Sequence, residues 1–587
     1  MRSLRGNPWA VLVTLSMGFF MTLLDMTIVN IAIPSMITAL GASLDEVLWV
    51  VNSYVLILAV LLITAGRLGD LRGQRNLFAA GVAVFTVASL ACGLASNPAL
   101  LISFRAIQGL GAALLMPQTM AIIITTFPAQ RRGTAMGIWG AVGGLATVAG
   151  PTLGGFLVTV ADWRWIFFVN VPIGVVALVL TFVVIPDTRL ERRHRLDLVG
   201  VSIATAGLFC LTFGLIEGQR FSWDAGIWAL LAASAGLLVV FLLQQRGRQT
   251  AEPLVPFSLF RDRNFTILNA VSCLVSVGII GFFLPLTIYL QSVLGYSALK
   301  AGLILAPMSL IGMLLAPVAG KLSDRIGGKY LLMAGLTLFG GGAAWMTALA
   351  RVGASWPTFL PAIGLLGVGF GGMFAPMATE TMRSVPAQFA GAASGVNNTI
   401  RQIGSVVGSS AVGALLQHQL AVALPAEAAR RSGQLPAGVR DRFVSGFSAG
   451  GGSGLEVGGS QSRVAAPRGL SAQVVAQLQQ ASTAVFQHGY VRAMHPTLVL
   501  PVAAMLIAAA SCLAVRRNGH NPPVLVAGPA PTAALHETGI SGPEANRSVL
   551  EVVPPSSSGP IPMPTAVAAP DSTVGNLLSR LRDEEST

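Results

Sequence analysis

Runs of about 20 apolar residues recur along this chain, and they restrict its possible folds more than any other feature. An α-helix needs about 20 such residues to cross a bilayer core about 30 Å thick. Only 10% of the 587 residues are charged, whereas a soluble domain carries roughly 25%. The pattern therefore predicts an all-α membrane protein. Its fourteen predicted helices are 9–33, 47–66, 77–95, 99–125, 134–157, 165–185, 198–216, 226–243, 265–288, 301–319, 330–349, 357–380, 392–417 and 495–515.

Basic residues are concentrated in alternate loops between the predicted helices. Six loops on one side hold 17 Lys and Arg, whereas the short loops on the other side hold four. Because positive loops stay in the cytoplasm, this bias predicts a multi-pass protein of the cell membrane with both termini cytoplasmic. It also accounts for the formal net charge of +13, so we expect no nucleic-acid partner. The basic loops are 67–75, 126–133, 186–197, 245–264, 321–329 and 381–391.

The chain contains an internal repeat. The sequence GRLGDLRG at 66–73 is matched by GKLSDRIG at 320–327, and PAQ at 128–130 is matched by PAQ at 386–388. The two offsets are 254 and 258 residues, so predicted helices 1–6 correspond to helices 9–14, and helices 7 and 8 are an insert. Parallel repeats around a site near the membrane midplane are a known transporter plan.

This duplication divides the chain into six segments. The Pro- and Ser-rich tail has the composition of a disordered segment. The segments are an N-terminal six-helix half (1–185), the inserted helices with their flanking inner loops (186–264), a C-terminal half (265–417), an extracytoplasmic segment (418–494), the last helix (495–515) and a cytoplasmic tail (516–587).

Four motifs accompany the repeat. They are GRLGDLRGQR at 66–75, RAIQG at 105–109, GAVGG at 140–144 with GPTLGG at 150–155, and LDMTIVNIAIP at 24–34. With these motifs the chain resembles the major facilitator superfamily, and specifically its fourteen-helix drug:proton antiporter family. Leu71 and Gln74 depart from the family's pattern, and Arg72 is a candidate substitute for the basic residue that is missing there.

The resemblance implies a major facilitator fold of two six-helix halves plus two inserted helices. It also implies a proton-coupled antiporter that exports hydrophobic or cationic drug-like molecules by alternating access. Such a protein is not an enzyme and needs no cofactor besides the proton gradient. We expect a monomer whose partners are the transported molecule and membrane lipid.

Asp25 is the candidate proton site because a carboxylate inside a membrane helix is unfavourable unless it is paired or hydrated. Arg105 of predicted helix 4 lies at a comparable depth, so the two residues are expected to pair. A carboxylate keeps its charge beside an arginine and loses it more readily in apolar surroundings, which suits proton uptake and release. A purely structural ion pair between helices 1 and 4 is the alternative.

The second half carries Arg401 in predicted helix 13 and Glu380 near the inner end of predicted helix 12. An arginine at that depth should face the cavity or an acid. Glu380 is a candidate partner for a cation or a second proton carrier, and the alternative is that it reaches the cytoplasmic interface.

The loop after predicted helix 2 and its repeat are implied by the resemblance to form a latch that closes the cytoplasmic side. The alternative is that these basic loops serve topology alone. A carboxylate there can pair with loop arginines or with the positive N-terminus of a neighbouring helix. The predicted latch residues are Gly66, Asp70, Arg72, Gly73, Arg75, Asp324 and Arg325.

Small residues in predicted helix 5 should let a helix of the other half approach closely, and a proline there should bend the helix. The residues concerned are Gly140, Gly144, Gly150, Pro151, Gly154 and Gly155. A further set is expected to line a central cavity, namely Asn30, Gln108, Trp139 and Tyr289.

Other functions remain open from the sequence. A proton-coupled importer or facilitator of a metabolite would use the same fold, and a receptor or assembly protein could keep the fold without transport. The glycine motif and the inserted helices favour export, whereas the large outer segment favours a receptor. The six histidines and four cysteines lack the spacing of metal ligands, so no metal site is expected.

Truncation after residue 520 should leave transport unchanged, because the removed tail lacks the apolar surface that a folded domain buries. The measurement is dye efflux from membrane vesicles that contain equal amounts of full-length and truncated protein. A truncated protein that inserts normally but does not transport would contradict a dispensable tail.

Overall fold

The computed structural model describes residues 5–187, 196–218, 220–221, 223–249, 253–433, 435–450 and 472–516. Long helices account for most of these residues. They are α1 (Pro8–Leu40), α2 (Leu44–Arg72), α3 (Gln74–Gly93), α4 (Pro98–Thr126), α5 (Arg132–Val160), α6 (Trp165–Phe168, continued by Asn170–Val184), α7 (Leu198–Glu217), α8 (Ala225–Gly247), α9 (Arg263–Ile288), α10 (Ala298–Ile326), α11 (Lys329–Leu349), α12 (Leu360–Met382), α13 (Ala390–Ser432), α14 (Ala437–Gly450) and α15 (Ala472–Ser511).

The described helices have the length that membrane crossing requires. Thirteen are long and apolar enough to span a bilayer, and α5, with 29 residues, occupies the remaining predicted span. At 1.5 Å per residue, 29 residues reach about 43 Å, which exceeds a hydrocarbon core of about 30 Å. The predicted all-α membrane fold is therefore confirmed.

Local sequence determines where several helices begin and end. The Ser43 hydroxyl accepts a hydrogen bond from the Glu46 backbone N–H (3.2 Å), and the Glu46 carboxylate accepts one from the Ser43 N–H (2.8 Å). This reciprocal pair starts α2. At the other end, Gly73 adopts φ 95°, and Gly327 adopts φ 86° after α10. Because positive φ favours glycine, the chain can turn at these two points and enter α3 and α11 almost at once.

The two repeats pack their helices in the same way. In the first half the main pairs are α3 with α4, α2 with α4, and α1 with α5. In the second half they are α11 with α12, α10 with α12, and α9 with α13. The second half has an apolar core of its own, whereas the core of the first half extends to residues of α12 and α13 such as Met382 and Ala393. The halves meet along two seams, α5 against α10 and α2 against α13. We call the side that carries Asp70 and Asp324, at the ends of α2 and α10, the Asp70 face.

Backbones touch at both seams near the Asp70 face. A Cβ atom added to Gly320 of α10 would collide with the carbonyl oxygen of Gly133 in α5. In the second seam, a Cβ atom on Gly66 of α2 would collide with the carbonyl oxygen of Gly391 in α13. Glycine is required at these positions because the helices approach to backbone contact.

The α5–α10 seam widens away from the Asp70 face. A Cβ atom on Gly137 would lie 2.5 Å from the carbonyl oxygen of Ala316 in α10. Two turns further along α5, a Cβ atom on Gly144 would lie 3.4 Å from the oxygen of Ser309. Beyond that, Gly154 faces α1 and no longer faces α10. The two halves are therefore in contact at the Asp70 face and diverge along this seam toward the opposite side.

The inserted helices α7 and α8 pack on each other outside the two halves. Leu208 of α7 contacts Leu56 and Val60 of α2. The Ser410 hydroxyl of α13 donates a hydrogen bond to the carbonyl oxygen of Leu215 (2.7 Å). The insert thus covers the outer side of the α2–α13 seam.

Residues 418–494 contain more regular structure than the sequence indicated. Predicted helices 13 and 14, at 392–417 and 495–515, are too short at their outer ends, because α13 continues to Ser432 and α15 begins at Ala472. The apolar pattern ends where the membrane span ends, but the following alanines and glutamines still favour a helix. Helix formation and membrane crossing therefore stop at different residues.

These helical extensions form a small apolar cluster with α14. Phe443 and Phe447 of α14 pack with Leu435 and with Leu478 and Val485 of α15. The cluster gives this part of the 418–494 segment a core that is separate from those of the two halves. Residues 451–471, and the predicted tail from residue 517 onward, lie outside the described residues.

Replacing Gly320 with Ala should destabilise the contact at the Asp70 face, because the new methyl group meets a backbone carbonyl that cannot move aside. Such overpacking costs about 1–3 kcal/mol. The measurement is the thermal unfolding temperature of the purified protein, which should fall.

Gly341→Ala in α11 is the matched control, since nothing lies within 4 Å of its added Cβ atom. Ala favours a helix over Gly, so this variant should unfold at the wild-type temperature or above. An equal melting temperature for the two variants would argue against backbone contact at the seam.

Candidate functional site

The structure pairs Asp25 of α1 with Arg105 of α4. Arg105 Nη1 donates a hydrogen bond to Asp25 Oδ2, and the two side chains are 1% and 0% exposed. Asp25 Oδ1 accepts two more hydrogen bonds, from Gln108 Nε2 (2.9 Å) and from Asn170 Nδ2 (3.3 Å). The carboxylate is therefore enclosed by one cation and two amides.

Arg105 has further partners inside the same half. Its Nε donates to the carbonyl oxygen of Val50 in α2 (3.0 Å), and its Nη1 also donates to Gln108 Oε1 (2.8 Å). The Tyr54 ring lies 4.4 Å from the guanidinium carbon, close enough for a cation–π contact. The cluster joins α1, α2, α4 and α6, and the described residues leave it no exposed edge.

Two members of this cluster, Gln108 and Asn170, differ from what the sequence predicted. Gln108 was expected to line the cavity, but it is fully buried and bonds both charges of the pair. Asn170 was not identified, because an isolated asparagine at the start of an apolar run resembles a helix cap. Its amide also bonds the Ser89 hydroxyl of α3 (3.1 Å). A neutral amide inside a membrane helix is the signal that could have indicated it.

Asp70 binds the first turn of α13 in the opposite half. Its two carboxylate oxygens accept hydrogen bonds from the backbone N–H groups of Gly391 and Ala392, both at 2.8 Å. These are the second and third residues of α13. A carboxylate at this position satisfies N–H groups that have no partner within the helix and opposes the positive end of the helix dipole.

Asp324 makes the corresponding contact in the reverse direction. Its carboxylate accepts hydrogen bonds from the N–H groups of Gly133 (2.7 Å) and Thr134 (2.8 Å), and from the Thr134 hydroxyl (2.9 Å). Gly133 and Thr134 are the second and third residues of α5. Each half therefore caps one helix of the other half, in the same register.

The predicted latch arginines lie elsewhere. Arg75 forms an ion pair with Asp187 (3.0 Å), and its guanidinium also lies 3.4 Å from the carbonyl oxygen of Ile185, so it binds the end of α6 within its own half. Arg72 and Arg325 are exposed at the ends of α2 and α10. Helix N-termini, and not these three predicted arginines, receive the two carboxylates that join the halves.

Glu380 is buried at the Asp70 face and is 5% exposed. Its Oε1 accepts a hydrogen bond from the Gly328 N–H (2.7 Å) and lies 3.2 Å from Nη1 of Arg383. It thereby holds the turn between α10 and α11 against the end of α12. The structure does not place it beside Arg401, so these two candidates belong to different parts of the molecule.

The glycines of α5 divide between two neighbours. Gly140 faces Phe374 of α12, and Gly144 faces α10, so these two lie on the side of the other half. Gly150 and Gly154 approach α1 in their own half, and nothing lies within 4 Å of a Cβ atom on Gly155. The expectation that these small residues admit the other half is therefore wrong for Gly150 and Gly154, because α5 diverges from α10 along its length.

Three predicted cavity residues have different surroundings. Trp139 of α5 stacks on Phe19 of α1, with ring centroids 3.9 Å apart. Tyr289 is fully buried, and its hydroxyl donates to the carbonyl oxygen of Arg351 (2.8 Å), so it ties the end of α9 to the loop after α11. Asn30 is exposed, and its side-chain amide donates to the carbonyl oxygen of Met26 one turn earlier in α1 (3.1 Å). Tyr289 therefore does not line a cavity.

Arg401 of α13 is partly exposed, and among the described residues its guanidinium forms no ion pair. The guanidinium carbon lies 5.9 Å from the centroid of the Phe374 ring in α12. One turn earlier, Asn397 points to α9, where its amide donates to Asn269 Oδ1 (3.0 Å). Arg401 thus differs from Arg105, which is fully paired.

Together these groups provide two kinds of chemistry. The Asp25 cluster holds a carboxylate that can carry a proton once it is separated from Arg105. The Asp70 and Asp324 contacts can form or break only if the halves move, because each contact joins two halves. The buried carboxylate Asp25 and the carboxylates that join the halves are therefore different residues.

The comparisons with known proteins agree with this architecture. The family described as Major Facilitator Superfamily matches residues 15–409. The tetracenomycin C resistance and export protein of Streptomyces glaucescens is 36% identical over 424 residues, which cover 72% of this chain and 78% of that protein. The multidrug resistance protein Stp of Mycobacterium tuberculosis is 35% identical over 416 residues, covering 70% and 76%.

A solved structure has the same fold. The crystal structure of the human organic anion transporter MFSD10 (TETRAN) aligns with a TM-score of 0.51 at 14% identity, over 85% of this chain and 99% of that chain. At this identity the likeness concerns the fold alone.

Asp70→Asn should open the Asp70 face. The amide keeps one acceptor oxygen but loses the charge and the second acceptor, and a hydrogen bond to a charged group contributes about 1.5–3 kcal/mol. The measurement is thiol labelling at a cysteine placed at Ser309, between α5 and α10, in a background without the four native cysteines. A reagent that cannot cross membranes, added at the Asp70 face, should react about tenfold faster.

Asp262→Asn is the matched control, because Asp262 caps its own helix α9 through the Phe265 N–H (3.0 Å) and joins no two halves. Its labelling rate should equal that of the wild type. Equal rates in Asp70→Asn and Asp262→Asn would show that the Asp70 contact does not hold the halves together.

Proposed function

Because this chain belongs to the major facilitator superfamily, and is therefore a multi-pass membrane transporter and not an enzyme, we propose that it exports hydrophobic drug-like molecules in exchange for protons. The two named relatives are a resistance and export protein and a multidrug resistance protein, which supports export. The proton gradient is the energy source in this proposal, and no cofactor takes part.

The observation that carries the proposal is the reciprocal capping at the Asp70 face. Asp70 and Asp324 each bind a helix N-terminus across a seam, while the α5–α10 seam widens toward the opposite side. This arrangement has the form of one end state of alternating access, closed on one side. In the second state these contacts break, and the halves close on the other side.

The basic loops support a cytoplasmic Asp70 face. Positive loops stay in the cytoplasm, and α2 and α10 both end in loops of this kind. In our proposal both termini are cytoplasmic, the protein lies in the plasma membrane, and the described state is closed toward the cytoplasm.

Asp25 is the proposed proton carrier. In the described state its carboxylate is paired with Arg105 and is 0% exposed, so a proton can reach it only when α1 moves relative to α4. Separation from Arg105 leaves a carboxylate in apolar surroundings, where the protonated form is favoured. Return to the pair releases the proton. A shift of α1 against α4 that accompanies the movement of the halves would thus couple proton transfer to access.

The energy of one proton is sufficient for useful export. One charge moving down 100 mV releases about 2.3 kcal/mol, which supports roughly fiftyfold accumulation. A neutral molecule exchanged for one proton therefore needs no further energy source at this potential.

Asp25→Asn should abolish concentrative export and leave downhill exchange intact, because asparagine has the size of aspartate and keeps one acceptor oxygen but cannot bind a proton. Accumulation should fall from up to about fiftyfold to none. The measurement uses proteoliposomes with an imposed pH gradient and a panel of anionic, neutral and cationic dyes.

Asp25→Asn leaves the buried Arg105 without a counter-ion, so the double variant Asp25→Asn/Arg105→Gln serves as the control for folding. The double variant removes both charges and should show the same loss of concentrative export with preserved exchange. Gradient-driven export at the wild-type rate in either variant would exclude Asp25 as the proton carrier.

A further inference from the structure

The charge balance of the membrane interior points to the chemical class of the exported molecule. We propose that the substrate carries a negative charge, such as an aromatic carboxylate, and that Arg401 is its counter-ion. This inference rests on the proposed function, since it names the substrate of that transporter.

Arg401 lies near the middle of the bilayer. It is eleven residues from the start of α13 at Ala390, which corresponds to about 16 Å at 1.5 Å per residue. A hydrocarbon core is about 30 Å thick, so the guanidinium starts from a backbone position close to its centre. A cation at that depth is unfavourable by several kcal/mol unless something neutralises it.

The described residues do not neutralise it. The carboxylate at comparable depth, Asp25, is bound to Arg105. Asp70 and Asp324 are bound to helix N-termini, and Glu380 is bound to the α10–α11 turn, all at the Asp70 face. No acid remains for Arg401 among the described residues, so this region carries one uncompensated positive charge.

Arg401 lies close to helices of both halves. Its guanidinium lies 5.9 Å from the Phe374 ring, and a Cβ atom on Gly140 of α5 would lie 3.8 Å from the Cβ atom of Phe374. These residues belong to α13, α12 and α5, which meet beside the widening seam. Arg401 is partly exposed there, unlike the enclosed Arg105.

The surroundings suit an amphiphilic anion. A guanidinium presents several donors in a plane and binds a carboxylate through two parallel hydrogen bonds. Phe370 and Phe374 form an edge-to-face pair with centroids 4.9 Å apart beside it, which offers apolar surface to an aromatic body. A cationic molecule would meet repulsion at this point and no free carboxylate.

The test is calorimetric binding to the full-length protein in lipid nanodiscs, with 2-naphthoate and the neutral 2-naphthamide as probes. The two differ in charge and share their aromatic body. Wild-type protein should bind the anion about tenfold more tightly than the amide, a difference of about 1.4 kcal/mol. In Arg401→Gln the affinity for the anion should fall about tenfold while that for the amide stays unchanged.

Two variants make this result specific. Arg401→Lys keeps the charge and should retain most of the preference for the anion. Arg351→Gln removes an exposed arginine of the loop after α11 and should leave both affinities at the wild-type value. An Arg401→Gln variant that keeps the preference for the anion, or that loses both ligands equally while Arg401→Lys binds normally, would overturn the inference.

This test needs no proton gradient, so its outcome is separate from that of the Asp25 experiment. A preference for the anion that depends on Arg401, without gradient-driven export of any dye, would reject antiport and retain the anion site. Gradient-driven export of dyes in general, without that preference, would retain antiport and reject the anion site.

Discussion

A charge inside a bilayer must be neutralised by an opposite charge, by a dipole or by a bound molecule, and this requirement organises the membrane-embedded part of the structure. Asp25 meets it with Arg105 and two amides. Asp70 and Asp324 meet it with the N-termini of α13 and α5. Arg401 forms no ion pair among the described residues, which is why we propose it as the counter-ion of an anionic substrate.

In the proposed transport cycle, the reciprocal caps are the contacts that form in one state and break in the other. Asp70 of α2 and Asp324 of α10 each bind the second and third residues of the helix that packs against their own helix from the other half. Both contacts lie at the Asp70 face, and apolar residues of α12 and α13, such as Met382 and Ala393, also pack into the core of the first half. In the proposed cycle the two equivalent contacts break together. The pair Asp25–Arg105 lies within one half, so its state can change only with a rearrangement inside that half.

Local features of the sequence were sufficient to predict the membrane helices and one charge pair. Apolar runs identified the membrane helices, and the unusual charges Asp25 and Arg105 were recognised as a pair from their depth alone. The sequence did not predict which neighbour a side chain contacts where that depends on the orientation of the residue around the helix axis. Arg75 binds its own half, Tyr289 is enclosed in a core, and Gly154 faces α1 and not α10. Successive residues of a helix are rotated by about 100°, so neighbouring positions face different sides. The sequence of one helix does not specify the angle at which it packs against another.

By itself, the sequence determined that this chain crosses the membrane many times, that its two halves are copies and that a few charges lie in the span. These properties follow from the energy of moving each side chain from water into hydrocarbon, which depends on the residue and its depth. Only the tertiary structure decided which charges are neutralised, because pairing depends on distances of about 3 Å between helices far apart in the chain. In the sequence, Asp25 and Arg401 are both isolated charges within predicted membrane helices. In the fold, Asp25 pairs with Arg105, whereas Arg401 forms no ion pair among the described residues.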